Sequence, residues 1–286
     1  MSYLNLKLIL ILSFLILHTG ACDKNEDPIS IFMESAHFIV LTNTNHSNEV
    51  EIQEVLDRAE ELYPNILEVL GEEREPINKI TLRLEGDFVE QGPYFDPDGI
   101  HLFRYSQEEN GYLALMTHEL IHAFREEYYI EYDPWSWENY PFLDEGFAEY
   151  VAMMVDSTKN SFPWYGYDAY AVVGDMVLKE NLIPFEILRE RHHEINQPCH
   201  IQTYTQRALW MNYLDETYGR DTLLLLNYPE TPTTAGFFEN TLGASLVEVD
   251  SSWHSWVLEK YNSTPNAAQI ADGFRNHTSW YEYCEY

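Results

Sequence analysis

Between Ser35 and Tyr105 the apolar positions follow mainly short, strand-like patterns, interrupted by one stretch of helical period. SAHFIVLTN (Ser35–Asn43) alternates poorly, but its richness in β-formers predicts a strand. INKITLRLEG (Ile77–Gly86) alternates apolar and polar residues and predicts a second strand, and GIHLFRY (Gly99–Tyr105) predicts a third. GPYFDPDG, between those two, is rich in Pro, Asp and Gly and reads as a loop. The helical stretch spans Glu49 to Leu70, with apolar residues at Val50, Val55, Leu56, Ala59, Leu62, Ile66, Leu67 and Leu70, and it stops at Gly71. Pro64 inside it predicts a kink or break.

From Tyr112 onward the period becomes helical, over Tyr112–Tyr129, Leu143–Asp156, Ala169–Lys179, Thr203–Tyr218 and Ser251–Tyr261. RHHEINQPCH, which holds His192, His193 and His200, lacks helical or finger-like ligand spacing and contains Pro198, so it reads as a polar loop. The pattern predicts an α+β chain with a small N-terminal mixed sheet and helix at 35–110 and a mostly helical half at 111–286. The aromatic runs WSWENY and SFPWYGYDAY are expected to pack between helices or to wall a cleft.

Composition narrows the function. The chain has 286 residues, and 48 Asp+Glu against 16 Lys+Arg leave a formal charge of -32, which opposes nucleic acid and anionic membrane surfaces as partners. Leu8 to Leu17 is a short apolar run after Lys7, too short for a permanent membrane span, and Thr19-Gly20-Ala21-Cys22 follows it. It reads as an export signal over 1–21, with a polar tether over 22–34. The segment resembles a bacterial lipoprotein signal, which implies a lipid anchor at Cys22 and an outer-membrane or cell-surface location. An ordinary cleaved signal would leave a periplasmic or secreted protein. Lipidation of Cys22 would leave Cys199 and Cys284 as an even pair, either bridged or two separate thiols.

THELIH (Thr117–His122) places His118 and His122 four residues apart, so one helical turn puts both imidazoles on one face with Glu119 beside them. Three defined positions are modest evidence alone. Downstream, FLDEGFAEYVAMM carries Glu145 and Glu149, again four apart on one helical face. A catalytic zinc site needs three protein ligands and a position for water, and two neutral imidazoles with one carboxylate leave about +1 on the ion. That charge draws the pKa of water there towards ~7, and Glu119 is placed to take its proton and pass it on. Asp144 and Asp156 are alternative carboxylate ligands on residue type alone.

The order THELIH then FLDEGFAEY resembles the gluzincin metallopeptidases of the aminopeptidase N and leukotriene-hydrolase type, especially their compact "peptidase MA-like" relatives. The resemblance implies a zincin-like fold, Zn2+ held by His118, His122 and Glu145, and Glu149 as a residue orienting a ligand histidine. TYTQRALWMNYLDETYG (Thr203–Gly219) is similar to the family's tyrosine helix, which implies that Tyr204 donates to the developing oxyanion; Tyr213 and Tyr218 are its rivals. By the same likeness, Gly99–Tyr105 would be the edge strand on which an extended peptide substrate pairs. The family's Gly-x-Met-x-Asn segment is missing, so the resemblance does not extend to exopeptidase activity. The expected function is a zinc-dependent peptidase acting on peptides or proteins. Two alternatives are a non-catalytic peptide- or glycan-binding surface lipoprotein that kept the fold, and a hydrolase of non-peptide substrates on the same site. A retained Glu119 argues for catalysis, since a binding module has no need of it.

Overall fold

The structure is a computed structural model that describes residues 30–42, 47–87, 93–104, 111–113, 115–131, 141–156, 167–185, 188, 192–228 and 235–277. The signal segment, Cys22, Cys284 and most of the two aromatic runs lie outside the described residues. Within them the chain is α+β and mostly helical, with a small mixed five-stranded sheet of order β1-β2-β3-β5-β4. The strands are β1 (Ser30–Glu34), β2 (Phe38–Thr42), β3 (Ile80–Asp87), β4 (Tyr94–Asp96) and β5 (Gly99–Arg104). β2, β3 and β5 are parallel, and β1 and β4 run antiparallel to them at the two edges.

Alternation in β2 and β3 sends Phe38, Val40, Ile80, Leu82 and Leu84 to one buried face, joined there by Ile100 and Leu102 of β5. Helix α1 (Glu49–Leu70) contributes its stripe to the same core: Ile52, Val55, Leu56, Ala59, Leu62, Tyr63, Ile66 and Leu70. It starts at a capping box, in which the Asn48 side chain accepts from the Val50 and Glu51 N–H groups while Glu51 accepts from the Asn48 N–H. It ends at Gly71, whose positive φ of 101° turns the chain away while its N–H bonds Leu67 O.

Four sequence expectations need correction. Of the kink or break expected at Pro64, the break is absent: α1 runs through Pro64 as one helix. The lost hydrogen bond costs about 3 kcal/mol, but fully burying each of Leu62, Tyr63 and Ile66 contributes roughly 1.5–3 kcal/mol, so packing wins. The expected tether is too long by five residues, because Ser30–Glu34 pairs with β2 as β1. GIHLFRY is not the edge strand: three residues of the expected loop form β4, pairing Tyr94 with His101 and Asp96 with Gly99. The Pro97-Asp98 turn makes that hairpin, and Gly99 permits it: its φ is 127°, and a Cβ there would sit 2.6 Å from the Thr81 carbonyl oxygen. The expected polar loop is helical from His192, because it leads the long helix α5 (His192–Tyr218).

The helical half also contains α2 (Met116–Glu131), α3 (Pro141–Val155), α4 (Ala169–Leu178), α6 (Arg220–Asn227), α7 (Ala235–Leu242), α8 (Leu246–Ser263) and α9 (Ala267–His277). α3 lies between α2 and α5. Its approach to α5 is set by Gly146, where a Cβ would fall 2.9 Å from Arg207 Cβ and 3.0 Å from Arg207 O. No described helix is long and apolar enough to cross a membrane.

Candidate metal centre

α2 and α3 run antiparallel, linked by polar contacts along their length. At one end Thr117 donates to Asp156 (2.8 Å), which also accepts from Arg58 of α1 (2.6 Å). At the other end Arg125 donates to Asp144. Between those ties lie His118, His122, Glu145 and Glu149, whose i,i+4 spacing on each helix brings both pairs to the facing surfaces. Asp156 is therefore spent on holding the helices together, and it is no ligand.

His118 Nε2 lies 3.1 Å from Glu145 Oε2 and 3.1 Å from His122 Nε2, and His122 Nε2 lies 3.7 Å from Glu145 Oε2. A point about 2 Å from all three atoms lies close to their plane, the bond length that zinc takes to imidazole nitrogen and carboxylate oxygen. His118, His122 and Glu145 form a group that can hold a metal ion. The outer ring nitrogens are also occupied. Glu149, fully buried, accepts from His118 Nδ1 (3.0 Å), and Asp144 lies 3.3 Å from His122 Nδ1. Carboxylates on both Nδ1 atoms favour the tautomer that leaves each Nε2 lone pair facing the shared point.

Burial opposes charge on His118, but its hydrogen bonds to Glu145 and Glu149 outweigh burial and push the imidazole up to about 9. Burial likewise opposes charge on His122, where Asp144 and Glu145 win and raise it well above its ordinary value. Glu145 is held well below the carboxylate range, because bonds to both histidines overcome its burial. Two protonated rings would set N–H against N–H at 3.1 Å, so both cannot carry the proton that the carboxylates favour. A shared cation satisfies the carboxylates and both lone pairs together.

Glu119 is buried beside the histidines, and burial raises its pKa above the usual carboxylate range against their opposing pull. Tyr204 of α5 reaches the group: its ring centroid is 5.7 Å from that of His118, and its hydroxyl hydrogen-bonds Glu145. Burial and the Glu145 charge keep that phenol protonated, well above its ordinary value. Glu145 and Tyr204 are only partly buried, so the cluster meets solvent on their side. Tyr213 is packed against Trp210, Trp256 and Tyr218, which leaves it and Tyr218 as packing residues. Six expected site residues thus come together.

His101 does not join them. It points away from the core face, stacked on Tyr94 at 4.3 Å, with Nδ1 2.7 Å from Glu85 and Nε2 3.2 Å from Asp96. Sequence reasoning did not pair Arg125 with Asp144, and it missed Arg207, a buried cation whose guanidinium lies 5.9 Å from the Tyr204 ring centroid. Burial pulls Arg207 down to about 10. Spacing could mark only their helical faces, since Arg125 lies three residues after His122 and Arg207 three after Tyr204; it says nothing of a partner on another helix. In comparisons with known proteins, no protein-family model matches the chain, and neither a curated protein nor a solved structure does.

Proposed function

We propose that the protein is a zinc-dependent metallohydrolase, a peptidase of zincin-like fold, with His118, His122 and Glu145 as ligands. The observation that carries the reading is the convergence of two Nε2 atoms and one carboxylate oxygen within 3.7 Å of one another. Nitrogen and oxygen donors in this ratio suit zinc, and three protein ligands leave a position for water or substrate. When bound, zinc supplies Lewis-acid polarisation and lowers the pKa of water towards neutrality.

The chain's own residues supply the rest. Glu119 accepts the proton of the attacking water and delivers it to the leaving amine, a task suited to a buried carboxyl of raised pKa. Tyr204 offers a protonated phenol to the carbonyl oxygen as negative charge develops there. Glu149 and Asp144 hold the histidine rings in the binding tautomer. An exported, lipid-anchored enzyme acting on extracytoplasmic peptides fits the N-terminal segment.

The test is metal analysis of the purified chain together with digestion of a broad peptide library. One zinc per chain and cleavage that a chelator abolishes and zinc restores are the expected results. Absence of zinc overturns the metal reading, whereas zinc without cleavage of any peptide would mark a non-catalytic binding module.

A further inference from the structure

Resting on the metal reading above, we propose that Arg125 and Asp144 form a positioning pair for His122. The pair locks its ring against α3 and anchors the metal centre to the end of α6. The two ligand histidines are backed differently. Glu149 lies behind His118 Nδ1 on the last turns of α3, whereas the carboxylate behind His122 comes from the first turn of α3 and is also held by an arginine of α2. Asp144 Oδ1 lies 3.3 Å from His122 Nδ1 and also accepts from Arg125 Nη1.

His122 and Arg125 sit one turn apart on α2, so a single oxygen of α3 is gripped at two points of the facing helix. The second guanidinium nitrogen, Nη2, donates to Asn227 O at 3.0 Å, in the last turn of α6. Carbonyls there lack a helical partner, so the arginine satisfies one of them while fixing its own position. The guanidinium lies 5.4 Å from the Phe147 ring centroid and 5.5 Å from that of Tyr228.

All three polar residues are buried, His122 at 7%, Arg125 at 4% and Asp144 at 8% exposure. A buried aspartate without its cation is costly to hold in place and would turn away, which removes the acceptor that aims His122 Nε2. Arg125 acts through Asp144 and the histidine, never on substrate, so its signature is in metal affinity.

The experiment measures zinc dissociation constants by chelator competition in the full chain, with the visible spectrum of the cobalt-substituted protein as a report on ligand geometry. Arg125→Met is expected to weaken zinc binding about 10- to 100-fold and to alter the cobalt spectrum, Asp144→Asn to weaken it about tenfold, and Arg125→Lys to recover most of the loss. The double variant Arg125→Met/Asp144→Asn should be no weaker than the worse single, because both changes break one unit. Arg74→Met is the control: Arg74 lies 4.7 Å from the same Tyr228 ring centroid and touches no ligand. Unchanged zinc affinity and spectrum in Arg125→Met, or an equal loss in Arg74→Met, would overturn the proposal. If Arg125→Met does not fold, unchanged affinity in Asp144→Asn overturns it instead. Zinc bound normally by the parent chain but without hydrolysis defeats the peptidase reading and leaves this one standing.

Discussion

Among the described residues, His101 and His118 each sit between two carboxylates, and only the second belongs to a group that could hold a metal ion. On the outer face of the sheet, His101 has Glu85 on Nδ1 and Asp96 on Nε2, and Tyr94 covers its ring. Both ring nitrogens are spent inside the cluster. Between α2 and α3, His118 also has a carboxylate at each nitrogen, but its Nε2 is shared with a second imidazole that offers the same atom. Both clusters therefore combine imidazole with carboxylates, and convergence of donor atoms on one point distinguishes the candidate metal centre.

Substitutions test that contrast, beginning where the expected loss is greatest. His118→Ala should abolish stoichiometric zinc, and Glu119→Gln should keep it while peptide cleavage falls by about 10²–10⁴-fold. Metal content and single-turnover rates on the same preparations check both, and wild-type cleavage by Glu119→Gln would remove the base. Tyr204→Phe should also keep zinc and lower kcat by roughly 10²–10³-fold, measured beside KM to separate transition-state from ground-state binding. Glu149→Gln keeps an acceptor but removes charge behind His118, and should weaken zinc about tenfold or more in chelator competition.

His101→Gln is the matching change in the other cluster. It should leave zinc affinity untouched and cost only about 1 kcal/mol in denaturant unfolding, because Glu85 and Asp96 are over a third exposed. A change in metal affinity there would erase the distinction. The smallest effect concerns Glu60. Burial raises its pKa, but hydrogen bonds from Ser35 and His37 overcome that and hold it below its ordinary 4.5. Its contribution to stability is thus complete above about pH 4.5 and fades as acid carries the pH down through the folded value. Urea midpoints of the parent and Glu60→Gln should converge on acidification.

Much of this site was legible beforehand because an α-helix has local geometry. Four-residue spacing places His118 with His122, and Glu145 with Glu149, wherever those helices sit. Tyr204 came forward only through the resemblance of its helix to the family's tyrosine helix, and its place beside His118 is a matter of tertiary packing. The edge strand was not legible, since a three-residue strand carries no period and Tyr94–Asp96 looks like part of a turn until β5 pairs with it. The start of α5 was hidden by Pro198 and by a run of polar residues, which carry no apolar period although the helix begins at His192. Arg125 and Asp144 belong to different helices, and no spacing rule couples them.

Amino-acid order alone determined the donor types, their grouping on single helical faces, and the alternation that gives the sheet one apolar side, because each depends on backbone periodicity over a few residues. Tertiary structure decided which faces meet. The close approach of α3 to α5 at Gly146 and the Thr117–Asp156 tie set the rotation of α3 against α2. Rotating either helix by one residue, about 100°, would turn the carboxylates away from the imidazoles and leave the same sequence without a site.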